Sequence, residues 1–78
     1  MTPKQIVFSD HATEQMRDRE IRRSDIRWLL ARGDRQMEPT LHGQQRWSCR
    51  GYLGNREAKV VFLEDATTII IVTIMWVY

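Results

Sequence analysis

The chain has 78 residues, twelve Lys+Arg against ten Asp+Glu, and a hydrophobic content of 42% with 28% charged. That length allows one domain (1–78) with a modest core, near the lower limit for independent stability, and the composition excludes disorder. A lone cysteine excludes an internal disulfide and a cysteine-based zinc cluster.

Charge is unevenly placed: residues 1–50 carry ten Lys+Arg against seven Asp+Glu, and residues 51–78 carry two against three. Ten of the twelve cations are arginine, the residue suited to bidentate phosphate contact. This leans towards RNA or another polyanion; a solvated helix surface explains the same arginines without a partner.

Lys4 to Phe8 reads as a short first strand, with Pro3 tolerable at its start. Asp10 to about Glu20 is a helix, capped by Ser9 or Asp10 and stapled by Phe8. Ala12, Met16 and Arg19 fall at i, i+4 and i+7, so all three share one side. Two of them suit a core, and a buried cation there needs an acid or an anionic ligand. His11 sits beside that stripe at the helix N-terminus, where backbone N–H groups favour anions. Imidazole, guanidinium and free N–H donors together suit a phosphate. The competing reading is a helix-start histidine that only caps, and an arginine paired with Asp25 or Glu64.

Ser24 is a second N-cap, and Ile26, Leu29 and Leu30 give an apolar face over Asp25 to Arg32. Gly33 is placed to end that helix in a left-handed C-cap. The period then changes to two. Arg35 to Glu38 is a short strand and Pro39 to Gly43 a loop. Gln44 to Leu53 is a strand with Trp47 and Cys49 on one face and Arg46, Ser48 and Arg50 on the other. Gly54-Asn55 supplies a turn, Ala58 to Leu63 the next strand, Glu64-Asp65 another turn. Thr67 to Tyr78 is the last strand, apolar on both faces and therefore central. Its run IIIVTIMWVY is too short for a membrane-spanning helix. With no leader at its start, the chain is expected in the cytosol.

The elements sum to strand–helix–helix followed by three or four mainly antiparallel strands, an α+β arrangement. Helices cover one sheet face, and the other is open and made basic by Arg46 and Arg50.

The pattern H-A-x-x-x-M-x-x-R-x-I, formed by His11, Ala12, Met16, Arg19 and Ile21, resembles an uncharacterised bacterial family, domain of unknown function 4258. So do S-D-I-x-x-L-L-x-x-G, Ser24 to Gly33, and the closing I-I-V-T strand ending in Thr73. That family resembles RelE/ParE-like toxins. The resemblance implies a RelE-like fold, with two N-terminal helices packed on one face of a mainly antiparallel sheet of 4-5 strands. It implies the toxin of a toxin–antitoxin system: a metal-independent endoribonuclease (mRNA interferase) cleaving RNA by 2′-OH attack, free or on the ribosome. A cognate antitoxin protein would be the partner, with no cofactor, no membrane and no direct DNA contact. Two positions depart from the family: Gln15 stands where arginine is frequent, and Glu20 where glycine is.

Metal-free RNA cleavage needs a base for the 2′-OH, an acid for the leaving 5′-oxygen, and cations around the phosphorane. His11 is the best acid/base, since imidazole titrates near neutrality. Arg19 and Arg46 are the phosphate clamps, and the Thr73 hydroxyl orients a non-bridging oxygen. Arg17, Arg50 and Tyr78 are candidate RNA contacts, and His42 is a spare acid in a loop. The aromatic residues can stack on bases or fill the core. The alternative function is a non-catalytic protein-binding module: a ParE-like inhibitor, an immunity protein or a mobile-element inhibitor.

Overall fold

The computed structural model describes residues 4–77. The chain runs β1 (Gln5–Phe8), α1 (Asp10–Asp18), α2 (Arg23–Arg32), β2 (Asp34–Leu41), β3 (Gln44–Leu53), β4 (Arg56–Glu64) and β5 (Thr68–Val77). The five strands form one sheet in the order β1-β5-β4-β3-β2. β1 pairs in parallel with β5, and every other pairing is antiparallel.

This corrects the expected RelE-like arrangement. The helices are not both N-terminal elements laid on a mainly antiparallel sheet. A strand precedes them, and its parallel pairing makes the sheet mixed. The two helices instead carry the chain from the β1 edge to the β2 edge, α1 packing on β5 and α2 on β3. A parallel pair requires a long crossover, and residues 9 to 67 supply it.

Helix boundaries have local causes. Ser9 caps α1, its Oγ accepting from the Ala12 N–H at 3.0 Å. α1 closes in a Schellman motif: Ile21 N–H donates to the Met16 carbonyl at 2.9 Å and Glu20 N–H to the Arg17 carbonyl at 3.3 Å. Glu20 thereby takes the left-handed position, φ +57°, where glycine is the relaxed choice. α2 begins two residues earlier than predicted. Arg22, not Ser24, is its N-cap, and the Asp25 carboxylate accepts from the Arg22 N–H at 2.9 Å.

Gly33 ends α2 for a different reason from the one expected. Its φ of −76° and ψ of 163° are extended, not left-handed. Space demands the glycine: a Cβ there would stand 2.6 Å from the Leu29 carbonyl oxygen and 2.8 Å from that of Arg50. The predicted loop after Glu38 is also strand. β2 continues to Leu41, leaving His42-Gly43, with φ of +52° and +76°, as a two-residue turn of the I′ kind.

The core lies between the helices and one sheet face. Ala12, Met16, Ile26 and Leu29 meet Cys49, Ala58, Val60, Phe62, Ile71 and Ile74. Ile71 and Ile74 are both fully buried although three residues apart, which strict alternation forbids. A β-bulge explains it: the β4–β5 register slips between Val61 and Phe62, opposite Thr73 and Ile71. Among the described residues, no helix is long and apolar enough to cross a membrane.

Candidate functional site

β1 pairs with β5 only as far as Ile71, so among the described residues no strand lies beside the outer edge of β5 from Val72 onward. α1 lies along that edge. Ser9 Oγ donates to the Val72 carbonyl at 3.4 Å, and Gln15 Oε1 accepts from the Ile74 N–H at 2.8 Å. Gln15 therefore serves a backbone donor that would otherwise lack a partner.

His11 and Arg19 lie four residues before and four after Gln15, so all three share the helix side that runs beside the strand edge. At 1.5 Å per residue, His11 and Arg19 are separated by about 12 Å along the axis. His11 is exposed and Arg19 half-buried. Among the described residues neither side chain makes a hydrogen bond or ion pair. Arg19 meets neither Asp25, which caps α2, nor Glu64, which holds Arg35 and Lys4. Arg17, two positions from Gln15, points to the other side of α1 into solvent.

Thr73 sits at the bulge, on the sheet face away from the helices. It heads a cross-strand row with Val61 and Ser48. Arg46 and Arg50 flank Ser48 on β3, two strands from β5 and about 10 Å away. The structure thus places His11 and Arg19 on the α1 side along the β5 edge, and Thr73 on the opposite sheet face, which also carries Arg46 and Arg50 two strands away. Tyr78 lies outside the described residues.

The open face is not the basic surface expected from Arg46 and Arg50. Arg46 Nε donates to the Pro39 carbonyl at 3.2 Å, and Arg50 pairs with Glu57 at 3.0 Å. Lys59 pairs with Glu38 at 3.1 Å, and Ser48 Oγ donates to the other Glu38 oxygen at 3.2 Å. Glu38, Glu57 and Lys59 were not singled out from the sequence. Their alternation with apolar neighbours marks a polar face, but only the strand register pairs the charges. The lone Cys49 is 1% exposed, and burial pushes its thiol up, which removes it as a nucleophile.

The hydrogen bond from Lys59 holds the Glu38 carboxyl below its ordinary value of 4.5, helped by Ser48 and opposed by burial. A carboxyl lowered by folding contributes stability that is present above its unfolded value and lost as pH falls through the folded one. Melting temperature should therefore decline as pH drops below about 4.5. Glu38→Gln should flatten that slope in thermal melts between about pH 3 and pH 6. An unchanged slope would remove Glu38 from the acid response.

A family model described as Domain of unknown function (DUF4258) matches residues 8–76. The chain belongs to that family. The match spans α1, both edges of the helix pair, and β5 as far as Trp76, so every described residue of the strand-edge group falls within it. No curated protein and no solved structure matches the chain.

Proposed function

We infer that this DUF4258 chain is an endoribonuclease, the toxin half of a toxin–antitoxin pair, working on RNA laid along the outer edge of β5. The observation that carries this reading is the α1 side that holds His11 and Arg19 along the β5 edge, neither side chain making a hydrogen bond or ion pair among the described residues. Likeness to a RelE fold is not among its supports.

In this reading the 2′-oxygen attacks phosphorus while His11 takes its proton. The 5′-oxygen departs with a proton returned by the same imidazole, leaving a 2′,3′-cyclic phosphate and a free 5′-OH. Arg19, further along the same edge, neutralises charge gathering on the phosphoryl oxygens. Gln15, a neutral amide, adds no charge, and its carbonyl holds the Ile74 N–H. Arg46 and Arg50, two strands away and engaged by Pro39 and Glu57, take no part in the chemical step. The setting is the cytoplasm, where a cognate antitoxin protein keeps the enzyme silent until released.

The test is direct. Purified protein, with and without ribosomes, should convert RNA into fragments ending in 2′,3′-cyclic phosphate, seen by end-mapping before and after phosphatase treatment. RNA left intact under both conditions overturns the reading. The neutral open face and the uncharged Gln15 favour a second one, a binding module for another protein. Intact RNA together with tight capture of the neighbouring gene's product would establish it.

A further inference from the structure

At the far end of the β5 edge, past Arg19, the chain forms a cleft of about 620 Å³. Three aromatic residues line it: Trp28 from α2, Tyr52 from the end of β3, and Trp76 from β5. Glu20, just after α1, and Asp25 bound it on the acidic side. The volume lies within the range of small-molecule sites.

The rings are presented, not buried. Trp28 is 43% exposed and Tyr52 61%. Gly51 gives the Trp28 ring its seat, since a Cβ there would stand 3.3 Å from it. The Arg56 guanidinium stacks on Trp76, 4.1 Å from the ring centroid, and steadies that indole from one side. The two carboxylates differ. Asp25 is engaged in capping α2, whereas the Glu20 side chain makes no hydrogen bond or ion pair among the described residues. Glu20 also occupies the left-handed position of the Schellman motif, so the backbone there would be more relaxed with glycine.

We propose that this cleft binds a purine base of RNA and selects guanine over adenine through Glu20. The inference rests on the ribonuclease reading, since a strand laid along β5 past Arg19 delivers a base here. Aromatic faces stack on any base, and a purine offers the larger surface. Selection comes from the carboxylate, which only accepts hydrogen bonds. Guanine presents two adjacent donors, N1–H and the 2-amino group, to both oxygens of one carboxylate. Adenine presents a single amino donor beside a ring nitrogen whose lone pair repels the second oxygen. Uracil offers one donor between two carbonyls.

The experiment follows the indole N–H resonances of the intact protein during titration with guanosine monophosphate and, separately, adenosine monophosphate. Trp28 and Trp76 should move and Trp47, outside the cleft, should not. Guanosine monophosphate should saturate the shifts at about tenfold lower concentration. Glu20→Gln should erase that preference. Glu20→Gly, which relaxes the backbone and so keeps the fold, should erase it too. Equal titrations of the two nucleotides, or a guanine preference that survives Glu20→Gln, overturn the proposal. Shifts produced by an arginine-rich peptide and by no nucleotide overturn it in favour of a protein partner. Binding is read here without cleavage, so the two readings fail separately. Nucleotide-induced shifts with no cleavage retain the base site, and cleavage with silent indoles retains only the enzyme.

Discussion

Gly33→Ala should destabilise the protein by about 3 kcal/mol, at the upper end of ordinary overpacking costs. The added Cβ would meet two backbone oxygens, of Leu29 at 2.6 Å and Arg50 at 2.8 Å, and neither belongs to a side chain that can swing away. Relief requires α2 to lift from β3, and that opens the Leu29 contact at the centre of the core. For a domain of this size the loss corresponds to roughly 10–25 °C in melting temperature. Gly43→Ala is the control. It places a methyl group in open space, with only the cost of its φ of +76° to bear, and should lose about 1 kcal/mol. If the two variants melt together, the close approach of α2 to β3 at Gly33 is not what requires a glycine.

His11→Ala should lower RNA cleavage by about 10²- to 10⁴-fold, the usual worth of a positioned acid/base group. Its melting temperature should stay within a degree or two, because an exposed side chain with no partner among the described residues contributes little to folding. Arg17→Ala provides the contrast. That cation is on the same helix but on its other side, and should change cleavage by no more than a few-fold. Equal losses from the two substitutions would mean that α1 acts as a diffuse basic surface. Full activity in His11→Ala would remove the imidazole from the chemistry.

Much of the fold was legible because local patterns agreed with tertiary packing. The buried Ala12 and Met16 followed from helical spacing, and of the two candidate caps, Ser9 and Asp10, the structure uses Ser9. β3 has the predicted ends, with Trp47 and Cys49 towards the helices and Arg46, Ser48 and Arg50 away from them. What could not be read depended on distant residues. Nothing in Gln5–Phe8 indicates that its neighbour is β5, sixty residues later, or that the pairing is parallel. The bulge that buries both Ile71 and Ile74 breaks the period on which a strand reading rests. Gly33 resembled a left-handed cap, since the crowding that requires it comes from backbone oxygens of Leu29 and of Arg50, the second on another element.

The candidate site shows the same division. Arg19 was picked out by its spacing from Ala12 and Met16, and His11 by its place at the helix start; His11 lies in the first turn of α1, and Arg19 is its C-cap. Arg46 was added as a cation of the open strand face and Thr73 with the closing I-I-V-T pattern; both lie on the sheet face away from α1, Thr73 on β5 and Arg46 two strands further. The basic open face failed because opposite charges from neighbouring strands meet across the register. The aromatic cleft needed three separate elements to converge, and no window of sequence contains it.

Pro39 has a consequence for how copies of this protein meet one another. It lies in β2, the outermost strand at that border of the sheet, where the register with β3 slips between Glu38 and Leu41. A continuous, straight border of that kind invites a neighbouring chain to zip on and start a fibril. The ring removes one amide proton, and the slip bends the strand out of line, so the zipper stalls after a few residues. Met37, 65% exposed beside it, can then stay in water without seeding aggregates.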